Sequence, residues 1–537
     1  MEKLTTSYWP ADTSEQMTQD TVGDVLWKAY QAAPKQLALV EGTATVAWRR
    51  TWTYESLWNA AEQCAHALLQ HFQPRDRIAV WANNIPEWVM LEFGAALANI
   101  TLVTVNPAYQ ARELQYVLQQ SRVVGLFLVE EFHGNDLRNI LDSVRSTLPD
   151  LQTVVSFADW QEFCASSGPN GSLPPVQPDD IAQIQYTSGT TGVPKGAMLR
   201  HSGLVNNARF VATRGGATDH NIWLSAIPLF HSSGSGLGVL GAVQTLGTQV
   251  LVPQFIPATV LELLETYRVD VAPMVPTMIQ AVWSHPDRAH RNLESLRYVW
   301  SGGAQVPPEV VRLVEETSNA RFSTVFGQTE ASPIITQTSP DDSAEDKAST
   351  VGRPLPHAEV KIVNPNTGAI VPVREPGELC VRGYLVMAGY FDRPDATQTA
   401  IDRDGWLHTG DLCTMDSRGY VRVEGRITDL IIRGGENIYP KEVEDVLATH
   451  SAIMEVAVVG IPDAYWGEQA AAFVQLASGS TVTIEELRAF AATRLAHYKV
   501  PRYWQLTDQF PRTPLGKIQK FRLREQFHNI TPDGSDV

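Results

Sequence analysis

The residues best equipped for chemistry lie in Tyr186-Thr187-Ser188-Gly189-Thr190-Thr191-Gly192-Val193-Pro194-Lys195-Gly196. Its three glycines let backbone approach a ligand, its threonine and serine hydroxyls can donate hydrogen bonds, and Lys195 adds an ammonium. Such a set suits a chain of phosphates. Gly/Ser/Thr runs are often plain turns, but a plain linker rarely ends in Pro-Lys-Gly and then enters a patterned helix. Residues 181–186 read as a strand feeding the loop, and 198–211 as the helix that follows. The common P-loop is excluded by spacing. It needs Gly, four residues, then Gly-Lys-Ser/Thr; here Gly189 and Gly192 are too close and Lys195 is followed by Gly196.

Other segments could complete a site. Phe326-Gly327-Gln328-Thr329-Glu330 follows the β-prone run 321–325. Gly327 admits close approach, Thr329 can reach a phosphate, and Glu330 offers a hard oxygen for Mg²⁺. Trp300-Ser301-Gly302-Gly303-Ala304 is a second close-approach segment after a strand. Asp411, in His408-Thr409-Gly410-Asp411-Leu412, is an acceptor suited to the two hydroxyls of a ribose. Gly425-Arg426-Ile427-Thr428-Asp429 leads into Arg433-Gly434-Gly435-Glu436, and Pro514-Leu515-Gly516-Lys517-Ile518 sets a lysine on a tight turn near the C-terminus. Each has an ordinary reading of its own: a solvated glutamate, a simple turn, a solubilising lysine.

The elements that must hold these residues alternate. Helices are expected at 54–72, 87–97 and 111–120, and strands at 77–81, 101–105 and 123–129. That order predicts α/β layers with largely parallel sheets. Residues 168–178, rich in Gly, Pro and Ser, read as a linker. Beyond Val351, short strands at 360–362, 378–381 and 420–423, with a turn at Asn364-Pro365-Asn366-Thr367-Gly368, predict a small β-rich subdomain. Pro440 opens a helix, and Thr483-Ile484-Glu485-Glu486 is a capping box.

At 537 residues the chain exceeds one ordinary core. The expected division is an N-terminal domain, 1–427, and a smaller mobile α+β C-terminal domain, 428–537. A net charge of −17 argues against nucleic-acid binding. Cys64, Cys164, Cys380 and Cys413 form no CxxC pair, which fits a reducing cytoplasm. No secretory h-region and no integral membrane segment are expected.

In order, wording and spacing these motifs resemble the adenylate-forming superfamily (acyl-CoA synthetases, adenylation domains, luciferases) over residues 22–527. Asn106-Pro107-Ala108-Tyr109, Pro228-Leu229-Phe230-His231 and Arg433-Gly434-Gly435-Glu436-Asn437-Ile438-Tyr439-Pro440 resemble its bacterial fatty and medium-chain acyl-CoA ligases. The resemblance implies ATP, Mg²⁺ and CoA as reactants and cofactors. It assigns the β- and γ-phosphates to Thr187, Ser188, Gly189, Thr190, Thr191, Gly192 and Lys195, and AMP to Phe326, Gly327, Gln328 and Thr329, with Mg²⁺ on Glu330. Gly303, Ala304 and Gln305 flank the adenine and acyl group. Asp411 and Arg426 meet the ribose, Lys517 is the catalytic lysine, and His231 gates the thiol tunnel. Gly434, Gly435, Glu436 and Trp466 fall on the CoA side.

The acyl pocket is expected to draw on Trp223, His231, Ser232, Ser233, Gly234, Trp300, Ser301, Gly302 and residues 332–335, beginning with Ser332. The hinge position carries Thr428 where relatives carry Asp or Lys, and Phe326 replaces a common Tyr. The expected activity is ATP-dependent ligation of a carboxylic acid, most simply a medium- or long-chain fatty acid, to CoA by a monomer or homodimer. The alternative acceptor is a separate carrier-protein phosphopantetheine. A non-enzymatic nucleotide-binding scaffold would have no need of the intact set Lys195, Glu330, Asp411, Arg426 and Lys517.

Overall fold

The computed structural model describes residues 3–166, 171–187, 194–304, 306–434, 436–463, 465–513 and 517–530. Ser188, Gly189, Thr190, Thr191, Gly192, Gln305, Gly435 and the turn 514–516 lie outside the described residues. The chain has a larger N-terminal and a smaller C-terminal domain of mixed α/β structure, and its contacts divide into two compact units. The larger comprises Tyr8–Val360 and Cys380–His408; the smaller comprises Met1–Ser7, Lys361–Leu379 and Thr409–Val537.

Two large sheets lie in the larger unit. In one, Gly389–Tyr390, Lys195–Arg200, Ile181–Thr187, Thr101–Val105, Arg77–Trp81, Gly125–Leu128 and Thr153–Ser156 lie side by side. From Ile181–Thr187 onward the pairs are parallel, while Lys195–Arg200 runs antiparallel to both of its neighbours. Parallel strands need helices on their faces, so their residues read as unbroken apolar runs. Ile78, Ala79, Val80 and Trp81 are accordingly all buried. The second sheet has nine strands, with Arg321–Gly327, Tyr298–Ser301, Val271–Pro273, Ile222–Ser225 and Thr248–Leu251 at its parallel centre.

The expected helices appear as Tyr54–His71, Pro86–Leu97 and Ala111–Ser121. One expectation needs correction. Residues 198–200 do not open a helix; they finish the strand Lys195–Arg200, and the helix starts at His201. The chain folds back after Thr187, which pairs with Lys195, and Met198 pairs on its other side with Gly389. Pairing of Met198, Leu199 and Arg200 with Ile184, Gln183 and Ile181, with Gly389 on the far side of Met198, overrides the local helical pattern.

In the smaller unit, strands Glu436–Ile438, Ile431–Arg433, Gly467–Leu476 and Ile453–Asp463 form a sheet, with Tyr503–Leu506 added along Gly467–Leu476. Side chains alternate across it. Val456 and Val458 pack with Val443, Leu447 and Leu487, and Ala457 and Val459 with Phe510 and Leu523. Both faces are thereby covered. The helices Pro440–Ala448 and Ile484–Ala492 start as expected, the latter with both capping-box hydrogen bonds from Thr483 and Glu486.

Candidate active site

Within the larger unit, the ends of two sheets bring the expected phosphate and cation residues into contact. Thr187 closes the strand Ile181–Thr187, and Lys195 stands opposite it in the antiparallel ladder. Thr187 Oγ1 donates to Glu330 Oε1 at 3.2 Å. Glu330 sits in the short turn Thr329–Ala331 after the strand Arg321–Gly327, and it is buried. Its Oε1 also accepts from the Tyr390 hydroxyl at 2.8 Å, and the Lys195 ammonium lies 5.2 Å from the centre of the Tyr390 ring. Tyr390 is the residue that motif reading passed over. The only signal in the sequence is the dipeptide Gly389-Tyr390 before a Pro-initiated helix, which is too common to single out.

Gly327 and Gly302, beside this cluster, leave no room for side chains. A Cβ on Gly327 would lie 2.0 Å from the Pro333 carbonyl oxygen, and one on Gly302 would lie 2.3 Å from that of Val325. Gly303 adopts φ +76°, a left-handed conformation that favours glycine. Ala304, Phe326 and Gln328 are half-buried, and Thr329 is buried. Oε2 of Glu330 accepts no hydrogen bond among the described residues, so the hard oxygen that a Mg²⁺ takes is present.

His231 follows Pro228-Leu229-Phe230, and its Nδ1 accepts the Ser233 N–H at 3.3 Å. Burial pushes its imidazole down to about 4, so it is neutral at physiological pH. Ser233 opens a π-helical stretch, Ser233–Val239, in which Gly234 lies against the Pro228 carbonyl. Ser232 and Ser301 are buried, and their hydroxyls have no hydrogen-bond partner among the described residues. Trp223 and Trp300 meet edge to face with centroids 5.0 Å apart, and the Trp300 indole donates to the Gly215 carbonyl at 3.0 Å. Both rings are fully buried in one apolar cluster with Leu237 and Ile334. The Ser332 hydroxyl donates to the Leu385 carbonyl at 2.7 Å.

In the smaller unit, Asp411 and Arg426 are cross-strand partners, and Arg426 Nε donates to Asp411 Oδ1 at 2.8 Å. Arg426 also donates to the Thr409 carbonyl at 3.0 Å. Asp411 is 4% exposed, and its own N–H is held by Thr409 Oγ1 at 3.1 Å. The Lys517 ammonium is held below the ordinary lysine value, first by loss of hydration and then by Arg426, with Asp411 and Asp429 pulling the other way. Lys517 is anchored through its backbone, its N–H donating to Thr513 Oγ1 at 3.2 Å and its carbonyl accepting from Thr513 N at 2.8 Å. Thr428 lies in the turn Ile427–Asp429.

Gly434 and Trp466 also meet. The Gly434 N–H donates to the Trp466 carbonyl at 2.7 Å, and a Cβ on Gly434 would lie 2.6 Å from the indole ring. The Arg433 guanidinium covers the ring at 4.3 Å. Glu436 is exposed on the next strand.

The family described as AMP-binding enzyme matches residues 26–391, and the AMP-binding enzyme C-terminal domain matches 442–517. The chain belongs to the AMP-binding enzyme family. It is 39% identical to "Putative acyl-CoA synthetase YngI" of Bacillus subtilis (strain 168), over 95% of this chain and 98% of that protein. It is 35% identical to the mitochondrial medium-chain acyl-CoA ligase ACSF2 of Rattus norvegicus, over 97% of this chain and 89% of that protein. The crystal structure of ATP-bound MatB from Rhodopseudomonas palustris superimposes with a TM-score of 0.86 at 26% identity, covering 95% of this chain and 99% of MatB. The protein is thus an adenylate-forming ligase of the acyl-CoA synthetase type. No described helix is long and apolar enough to cross a membrane.

Proposed function

We propose that this AMP-binding enzyme activates a medium- or long-chain aliphatic carboxylic acid with ATP, releases pyrophosphate, and passes the acyl group from acyl-AMP to the thiol of CoA. The observation that carries the reading is the Thr187–Glu330 hydrogen bond at 3.2 Å, which joins the start of the phosphate loop to the cation-binding carboxylate. The medium-chain ligase among the relatives supports the acid class. The relatives' names point to CoA rather than a carrier protein as acceptor.

Attack of a carboxylate on the α-phosphate brings two anions together. It is helped more by positive charge aimed at the developing oxyanion than by a general base. When bound, Mg²⁺ on Glu330 would neutralise phosphate charge. Lys195 and the loop 187–195 hold the departing pyrophosphate, while Lys517 bridges the carboxylate and the α-phosphate oxygen. Loss of hydration first, and Arg426 next, hold the Lys517 ammonium below the ordinary lysine value, and Asp411 and Asp429 oppose that shift. Asp411 accepts from the ribose hydroxyls, and Arg426 fixes its rotamer. Gly303, Ala304, Gln305 and residues 326–329 bed the adenine. Neutral His231 separates the acid from the thiol path without drawing the carboxylate into an ion pair.

For the second step, the domain 428–537 turns about Thr428. Gly434, Gly435, Glu436 and Trp466 then face the pantetheine and nucleotide of CoA. The protein works in the cytoplasm. A panel of straight-chain acids from acetate to palmitate together with aromatic and amino acids, assayed for pyrophosphate release with and without CoA, tests this reading. Greatest turnover with C6–C12 acids, and acyl-CoA as product, is expected. Turnover confined to aromatic or amino acids would overturn the acid class.

A further inference from the structure

The residue that ties the phosphate lysine to the metal carboxylate is one that neither motif contains. Tyr390 touches both. Its hydroxyl donates to Glu330 Oε1, the same oxygen that accepts from Thr187, and its ring lies under the Lys195 ammonium. Its backbone is fixed on three sides. Tyr390 pairs with Ala197 in the ladder, its N–H donates to Thr397 Oγ1 at 2.9 Å, and the next residue's N–H donates to the Gly196 carbonyl at 2.8 Å. Gly389 makes this possible. At φ +136° it tolerates a Thr397 methyl that would lie 2.8 Å from any Cβ there.

A neutral donor is the right tool at this point. An arginine or lysine bonded to Glu330 would compete with a cation for the carboxylate, whereas a phenol orients the carboxylate without bringing a positive charge to it. Thr187 and Tyr390 together occupy Oε1, which turns Oε2 away from both. The ring face meanwhile attracts the Lys195 ammonium without offering it a carboxylate to pair with.

We infer that Tyr390 is a positioning residue that orients Glu330 for its divalent cation through the hydroxyl and holds Lys195 for the phosphates through the ring. The inference rests on the reading of Glu330 as the metal carboxylate and Lys195 as a phosphate ligand. Two variants separate the functions of hydroxyl and ring. Tyr390→Phe keeps the ring and loses the donor; Tyr390→Leu loses both.

The readout is Mn²⁺ binding to the full-length enzyme in the presence of ATP, followed by the electron paramagnetic resonance signal of free Mn²⁺, and ATP binding in EDTA. Y390F should weaken Mn²⁺ binding by roughly 10- to 100-fold, as expected for loss of a hydrogen bond to a charged group, with metal-free ATP affinity within about 2-fold of wild type. Y390L should weaken metal-free ATP binding as well, by roughly 3–5-fold. Wild-type Mn²⁺ affinity in Y390F would overturn the inference, and that variant alone decides it if Y390L does not fold. Glu330→Gln distinguishes the two levels. If E330Q weakens Mn²⁺ binding and Y390F does not, the role of Tyr390 fails alone. If neither variant changes Mn²⁺ binding, the assignment of the metal to Glu330 fails with it.

Discussion

Asp411 and Arg426 face each other across an antiparallel pair, the guanidinium donating to the carboxylate at 2.8 Å and to the Thr409 carbonyl at 3.0 Å. The arginine therefore sets the direction of an aspartate that is 4% exposed. Two sheet strands, rather than a loop, hold the acceptor assigned to the ribose.

Asp411→Asn keeps the shape and removes the charge, leaving Arg426 facing a neutral amide. A hydrogen bond to a charged group contributes about 1.5–3 kcal/mol. ATP–pyrophosphate exchange should accordingly lose roughly 10- to 100-fold in kcat/KM for ATP, with KM for the acid nearly unchanged. Unchanged ATP kinetics would remove Asp411 from the nucleotide site.

His201 governs part of the acid stability. Its Nδ1 accepts the Val22 N–H at 3.2 Å at the start of the helix Val22–Ala32, and burial pushes its imidazole down to about 4. Between pH 6.5 and 4 the unfolded chain binds a proton that the folded one refuses, so stability falls as pH falls through that window, at about 1.4 kcal/mol per pH unit. A protonated ring would lose its acceptor and face the positive end of the helix dipole. His201→Gln keeps an acceptor and cannot be charged. Urea unfolding from pH 7 to 4 should give it a shallower loss than wild type.

Glu92 acts in the opposite sense. It is 3% exposed, accepts one hydrogen bond from Gln183 Nε2 at 2.7 Å, and is pushed up to about 8 by burial. The folded state holds a proton between pH 4.5 and 8 that the unfolded state releases, so this group's contribution to stability falls as pH rises through that window. Glu92→Gln should match wild type near pH 5 and be the more stable protein at pH 8 and above, measured as Tm against pH.

Gly434 occupies φ +57° with the Trp466 ring where a side chain would go. Gly434→Val should displace Trp466 and slow thioester formation by roughly 10-fold or more, the scale of a strained left-handed residue, while leaving pyrophosphate exchange near wild type. Equal loss in both would place Gly434 outside the CoA path.

The sequence discloses some of these features more readily than others. Arg77–Trp81 and Thr101–Val105 are legible because buried parallel strands are uninterrupted apolar runs. The capping box at Thr483 and the proline at Pro440 are equally local signals. Residues 198–200 are not legible, because their strand is decided by partners that a local pattern does not display: Ile184, Gln183 and Ile181 on one side and, at Met198, Gly389 on the other, nearly two hundred residues away. Tyr390 is hidden for the same reason. Its meaning comes from Glu330 and Lys195, which the fold alone brings to it. Asp411 and Arg426 stand in motifs, yet their pairing depends on a register shift in the strands between Leu412 and Cys413 that no pattern displays.

The central claim is that one chain forms acyl-AMP with Lys517 and then hands the acyl group to CoA without it. The most direct measurement takes Lys517→Ala through the two half-reactions separately, with a medium-chain acid, ATP and Mg²⁺ in one and supplied acyl-AMP with CoA in the other. The account predicts a fall of roughly 100-fold or more in adenylate formation, typical for loss of a group aimed at transition-state charge, with thioester formation within about 3-fold of wild type. Equal loss in both half-reactions, or none in the first, would contradict it.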